Sequence, residues 1–188
     1  VSATYHENCT DIWIMTHEKG NSNYVAFQLT PAGVNTTPVI SSVGASANGS
    51  NRYGGLRFSH NSRQLCSSLG GSNTRPTVEL LDFDNFSGTL SNPDTLESNA
   101  SLAGAFSSEF SADNKFLYVC EFNGNEIFQY DLSLPTGQVA ASATNIAVSN
   151  TIKSALQMGP DGKIYVSQRL SPFLGVIDQP GLAGLACS

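Results

Sequence analysis

LQMGPDGKIYVSQ, residues Leu156 to Gln168, sets the short polar turn GPDGK between two apolar segments. The same form occurs twice earlier, as GLRFSHNSRQLCSS (Gly55 to Ser68) and SSEFSADNKFLYVCE (Ser107 to Glu121). Phe58 and Phe110 stand 52 positions apart, and Phe110 and Met158 stand 48 apart. After each turn the chain alternates with the period of a strand, through Leu65-Cys66-Ser67, Phe116 to Cys120 and Ile164-Tyr165-Val166. DIWIMTH (Asp11 to His17) reads as an N-terminal copy of that strand, with Trp13 at the position of Tyr118 and Tyr165. The polar turn HENCT precedes it.

A second landmark follows each strand. VELLDFDNFSGTLS (Val78 to Ser91) matches EIFQYDLSLPTGQVA (Glu126 to Ala140), with Asp82 and Asp131 49 apart and Gly88 and Gly137 also 49 apart. YVAFQLTPAGVNTT (Tyr24 to Thr37) is the N-terminal copy, with Gly33 in the glycine's role, and LGVIDQPGLAG (Leu174 to Gly184) is a shortened last copy. No window sustains helical apolar spacing. Short strands between Gly, Asn, Asp and Pro turns, repeating at roughly 50 residues, are the pattern of propeller blades. The expected fold is therefore all-β, a β-propeller of four blade-like repeats at about 1–50, 51–103, 104–151 and a truncated 152–188. Natural propellers have about four to eight blades, and the chain is read as part of a larger ring of about seven.

Composition narrows the partners. The chain of 188 residues is 40% hydrophobic but only 13% charged, with a net charge of −6 and no Lys/Arg cluster. Nucleic acid and anionic membrane are excluded as partners on that balance, and no apolar run approaches the ~18 residues of a membrane helix. A chain that opens at Val1 without a signal peptide reads as a processed or excised piece. Cys9, Cys66, Cys120 and Cys187 lie too far apart in sequence for a CxxC site. They allow three full disulfide pairings, or buried free thiols.

The ordered series DIWIMTHEKGNSNYVAFQLTPAGVNTTPVISSVG, YGGLRFSHNSRQL, VELLDFDNFSGTLSNP, FSADNKFLYV with IFQYDLS, and LQMGPDGKIYVS with LGVIDQPGLAGLAC resembles the propeller region of large secreted Bacteroidetes surface proteins. Members of that family carry PKD-type domains and a gliding-motility-associated C-terminal sorting region, and their propeller is of a WD-like or lactonase-like kind. The resemblance implies type IX secretion, an extracellular or cell-surface location, and blades additional to those of this chain. It carries no catalytic residue set. Two departures stand out: SHNSR and SADNK replace the FSPDG-like turn, and Cys9 occupies a place where the family pattern has Gly. Asp94-Thr95-Leu96 resembles the Bacteroidetes O-glycosylation acceptor, which marks Thr95.

Residue chemistry gives few leads. His6 and His17 flank the DIWIMT strand, each followed by Glu, and His60 lies in a blade turn. Neither His-Glu pair extends to HExxH, so all three are expected as exposed turn histidines and no metal is assigned to them. Strand-end Asp82, Asp84, Asp131 and Asp178 read as turn caps. Calcium is the alternative, with Asp82, Asp84 and Asn85 as one candidate set and Glu121 with Glu126 as another. No GxSxG elbow is present. Trp13, Tyr118 and Tyr165, and likewise Phe58, Phe110 and Met158, are expected in the core.

These observations lead to the expectation of a non-catalytic module that mediates adhesion by contacting a surface protein or glycan, or that packs on the remaining blades of a parent chain. Two alternatives stand beside it. One is a propeller hydrolase or lactonase with a metal or acid pair on the central axis. The other is an assembly subunit joined by strand addition.

Overall fold

The computed structural model describes residues 1–48, 54–70, 77–96, 105–121, 125–147 and 151–187. They fold into four antiparallel sheets, each built from strands consecutive in sequence. Sheet I holds β1 (Ser2–Tyr5), β2 (Ile12–His17), β3 (Asn23–Thr30), β4 (Gly33–Val34) and β5 (Val39–Ser42). Sheet II holds β6 (Leu56–Phe58), β7 (Gln64–Leu69), β8 (Thr77–Asp84) and β9 (Thr89–Thr95). Sheet III holds β10 (Ala105–Phe110), β11 (Phe116–Glu121), β12 (Ile127–Asp131) and β13 (Thr144–Asn145). Sheet IV holds β14 (Lys153–Met158), β15 (Ile164–Gln168) and β16 (Gly175–Ile177). No helix among the described residues is long and apolar enough to cross a membrane.

The sheets stack in sequence order. Their first strands approach one another, β1 against β6, β6 against β10 and β10 against β14, so these strands form the inner wall of the array. Period-2 alternation gives sheets II and III two buried faces, as in a propeller, and sheets I and IV one each among the described residues. In β2 and β3 the pairs Trp13–Gln28, Met15–Ala26 and His17–Tyr24 share the face toward sheet II. There Trp13, Met15 and Tyr24 pack with Phe58, Leu65, Leu81 and Phe83. The II–III layer joins Cys66, Val78 and Leu80 to Phe110, Leu117 and Val119. The III–IV layer joins Phe116, Tyr118 and Cys120 to Leu156, Ile164 and Val166. One strand thus feeds two layers: Leu117 faces sheet II, and its neighbour Tyr118 faces sheet IV.

The hairpin turns repeat as backbone geometry. Cys9, Ser62, Asn114 and Gly162 all have φ between 58° and 79° at equivalent turn positions. Asn tolerates this region best among non-glycine residues, as at Asn114, whereas Cys9 and Ser62 adopt it inside hydrogen-bonded turns. In two of these turns, Ser59 N donates to Gln64 O and Ser111 N donates to Phe116 O, each at 2.9 Å. All four cysteines are free thiols, Cys9 exposed and the other three buried. Burial pushes the Cys66 thiol up to about 11.

Candidate functional site

Antiparallel order sends the turns to two opposite ends of the sheets. One end carries the β1–β2, β6–β7, β10–β11 and β14–β15 turns, together with the residue 85–88 turn. At this end the Asp82 and Asp84 carboxylates are engaged in local hydrogen bonds, while Asn85 Oδ1 is buried without a partner among the described residues. Asp84 accepts from Phe86 N at 3.1 Å and Ser87 Oγ at 2.6 Å, and the Ser87 hydroxyl holds its carboxyl below the ordinary value. Asp82 accepts from Asn92 Nδ2 at 3.0 Å. The Asn85 carbonyl accepts from Trp13 Nε1 at 3.0 Å and from Glu7 N at 3.1 Å. Glu126 accepts from Asn145 Nδ2 at 3.0 Å, while the Glu121 side chain and residues 122–124 lie outside the described residues. Among the described residues no three His, Cys, Asp or Glu side chains converge as a metal site. Thr95 is exposed at the end of β9, opposite Glu79. His6 stacks on Trp13, and exposed His60 contacts the Phe110 carbonyl through Nε2 at 3.3 Å.

The inner wall carries one buried carboxylate, Glu109 on β10, at 1% exposure. It is fully engaged. It pairs with Arg57 of β6 at 3.3 Å and accepts from Met158 N of β14 at 2.9 Å and from Phe110 N at 3.1 Å. Arg57 also donates to Ser108 O at 3.3 Å and to Gln157 Oε1 at 3.0 Å. Nearby, Ser107 Oγ accepts from Leu156 N at 3.1 Å. An innermost strand is a sheet edge with unpaired N–H and C=O groups, and here side chains from the neighbouring sheets satisfy them. Arg57 and Glu109 join three sheets, and neither offers a free group to chemistry.

The opposite end differs. His17 closes β2 on the face that carries Trp13 and Met15, with its ring centroid 4.2 Å from that of Tyr24. It is half-buried. This corrects the expectation of an exposed turn histidine: residue 17 is in period with residues 13 and 15, and that parity turns it toward sheet II. Both ring nitrogens are buried without a hydrogen-bond partner among the described residues, and the buried Tyr24 and Ser67 hydroxyls beside them have little more than each other. Buried polar groups in native folds are almost always paired, so such a cluster calls for an explanation.

Beside it lies a cavity of ≈ 290 Å³ whose lining includes Thr16, His17, Lys19, Leu56 and Ser68. Burial lowers the His17 pKa from its ordinary value, with the Glu18 carboxylate opposing. The imidazole is therefore neutral at neutral pH, with one nitrogen lone pair free. Glu79, 4% exposed, lies in the same sheet I–II layer and accepts from Ala45 N at 2.8 Å; burial raises its carboxyl.

No family model matches the sequence, and no curated protein is similar to it. Solved structures are similar in fold. The periplasmic gluconolactonase of Pseudomonas aeruginosa matches 93% of this chain with 52% of its own length, at a TM-score of 0.64 and 15% identity. A Bacteroides uniformis protein solved as a candidate 6-phosphogluconolactonase gives 93%, 52%, 0.61 and 14% on the same measures. The Cps50 (Swd1) β-propeller domain of Myceliophteria thermophila gives 93%, 49%, 0.61 and 8%. The chain is a β-propeller fold that spans about half the length of these proteins. The expectation of a non-catalytic adhesion module is corrected by these likenesses, which include propeller lactonases and favour the enzyme alternative. Of the groups described above, Glu109 on the inner wall is held in an ion pair, and the His17 imidazole, without a hydrogen-bond partner among the described residues, lies between sheets I and II.

Proposed function

We propose that the chain carries a hydrolase site of the lactonase type at the His17 cavity, opening a cyclic ester such as a sugar lactone. The observation that carries this reading is an imidazole whose two ring nitrogens are buried, without a hydrogen-bond partner among the described residues, and adjacent to a cavity. Likeness in fold to lactonases supports the substrate class. His17 takes a proton from water as the water oxygen bonds to the lactone carbonyl carbon. The carbonyl electron pair moves to oxygen, where the Lys19 ammonium on the same cavity wall stabilises it. Collapse breaks the ring C–O bond, and the ring oxygen takes the proton back from the imidazolium, leaving a hydroxy acid. An extracellular setting, suggested by the sequence resemblance, is part of the same proposal.

The test is acid release from glucono-lactone at constant pH, using the purified chain. His17→Gln is expected to lower kcat about 10²–10⁴-fold, with the strand circular dichroism unchanged. Wild-type activity is expected to rise with pH through a value below 6.5. Ring opening at the spontaneous rate, or a His17→Gln variant as active as wild type, would sink the reading.

A further inference from the structure

Beside the His17 cavity, the β2–β3 turn fixes an exposed carboxylate in one place. Glu18 follows His17 directly, and its backbone N donates to Asn23 O at 2.8 Å, which closes the turn. Two amide side chains converge on one oxygen of its carboxylate. Asn21 Nδ2 donates to Glu18 Oε2 at 2.8 Å, and Asn23 Nδ2 donates to the same atom at 2.9 Å. Both amides are themselves held: Asn21 Oδ1 accepts from Asn23 N at 2.8 Å, and Asn23 Oδ1 accepts from Ser42 Oγ of β5 at 2.7 Å. Holding a long surface side chain in one geometry costs rotamer entropy, so most are left free. Glu18 is not.

The Asn21 amide, and after it that of Asn23, hold the Glu18 carboxyl below its ordinary value, so it is ionised across the neutral range. That charge acts on the neighbouring ring: burial lowers the His17 pKa, and the Glu18 carboxylate raises it. A half-buried imidazole that takes up a proton becomes a cation with few groups to solvate it. A fixed anion nearby offsets that cost without having to reorganise as the charge appears.

We propose that Glu18 is a positioning residue of the hydrolase site: its carboxylate, fixed by Asn21 and Asn23, stabilises the imidazolium that His17 becomes on taking a proton from water. This inference rests on the hydrolase reading for the step it assists, and it makes the β2–β3 turn the part of the fold that sets the strength of the base. Among the described residues, the other titratable groups around the ring are Lys19 on the same turn, Tyr24 on β3, Glu79 on β8 and the Val1 amino group at the cavity wall. Lys19 opposes a second positive charge, burial pushes the Tyr24 hydroxyl up so that it stays protonated, and burial raises the Glu79 carboxyl. All four are common to the wild type and to a Glu18 variant, so the difference between the two proteins reads Glu18 alone.

Glu18→Gln keeps an acceptor oxygen for both amides and removes the charge. The His17 ring is titrated by NMR in wild type and variant, its signals assigned by their loss in His17→Gln. The proton affinity of the ring is expected to fall about twofold or more in Glu18→Gln at low salt. The gap is expected to close at about 1 M salt, where the Debye length is about 3 Å. Acid release from glucono-lactone is expected to lose about twofold or more in kcat, with the acid limb of the pH profile moved down by the same amount. The double variant Asn21→Ala with Asn23→Ala frees the carboxylate and is expected to move both readouts in the same direction by less. A His17 titration unchanged in Glu18→Gln, or a gap that salt leaves intact, overturns the inference even where the wild type hydrolyses the lactone. So does a shifted titration with kcat and the pH profile unchanged. A wild type that releases no acid while its His17 still titrates lower in Glu18→Gln overturns the hydrolase reading instead and leaves the coupling standing.

Discussion

The I–II and III–IV layers are the same architectural joint built in two ways. In the III–IV layer the buried Tyr118 hydroxyl donates to Pro180 O and accepts from Gln129 Nε2 at 2.6 Å. Gln129 also donates to Leu182 O and accepts from Gly184 N, each at 2.7 Å. Every atom of that network has a partner. In the I–II layer Tyr24, equally buried, has only the nearby Ser67 hydroxyl to interact with, beside a His17 ring that has no hydrogen-bond partner among the described residues and an open cavity. A satisfied buried network rigidifies a joint, and an unsatisfied one costs stability unless something enters to complete it. The difference separates a joint that holds the fold from a joint that offers a site.

The largest effect that would break this contrast is steric. Gly88→Ala puts a Cβ 2.7–2.9 Å from three Trp13 ring atoms at a backbone φ of 79°. Overpacking and left-handed strain together are expected to cost about 3 kcal/mol and lower Tm by roughly 10 °C. Gly181→Ala in sheet IV meets only Asp113 Oδ2 at 3.5 Å. It is expected to change Tm by no more than about 2 °C. Equal losses in the two variants would erase the distinction between the joints.

Tyrosine truncation is a smaller and sharper probe. Tyr118→Phe strands Gln129 and the Pro180 carbonyl in a buried setting and is expected to cost about 1–3 kcal/mol. Tyr24→Phe removes a hydroxyl that, among the described residues, has only Ser67 to interact with, and is expected to lie within about 0.5 kcal/mol of wild type, on either side. Chemical denaturation of the two variants compares them directly. A Tyr24→Phe loss as large as that of Tyr118→Phe would mean that the I–II hydroxyl is satisfied in solution.

The smallest effect is the pH dependence of the I–II layer, which has opposite signs at its two titrating groups. Burial lowers the His17 pKa in the fold, so the unfolded chain binds the extra proton. Stability is then lost as pH falls from the unfolded value of 6.5 toward the lower folded one. The Glu79 pKa is raised, so its contribution is present below the unfolded value of 4.5 and is lost as pH rises through the folded one. Glu79→Gln keeps an acceptor for Ala45 N and removes the second loss. The variant is expected to gain Tm relative to wild type at pH 7.5 and not at pH 4. A gain that is the same at both pH values would place the effect elsewhere.

Much of the architecture was legible in the sequence because its causes are local. The hairpins around Ser59–Gln64 and Ser111–Phe116 close through hydrogen bonds spanning five residues, so their chemistry repeats at the spacing of the sheets. The aromatic positions were legible in part. Trp13 and Tyr118 are in the core as expected, but Tyr165 is not fully buried, because among the described residues no sheet packs on its face of sheet IV. His17 was within reach of the same period-2 reasoning, since its parity with Trp13 and Met15 marks a buried face. Its position at the strand end, followed by Glu18, made it look like part of the turn.

The sequence by itself determined the strands and the turns, because each depends on residues a few places apart. Only the tertiary structure decided which polar side chains are satisfied. Arg57 and Glu109 lie 52 positions apart, and Tyr118 and Pro180 lie 62 apart; they meet because whole sheets stack. His17 and Tyr24 are cross-strand neighbours on one hairpin, yet which polar groups meet them depends on sheet II, where Ser67 faces Tyr24 and no described group bonds the His17 ring. Hydrogen-bond satisfaction across a layer belongs to both sheets at once, and no single strand encodes it.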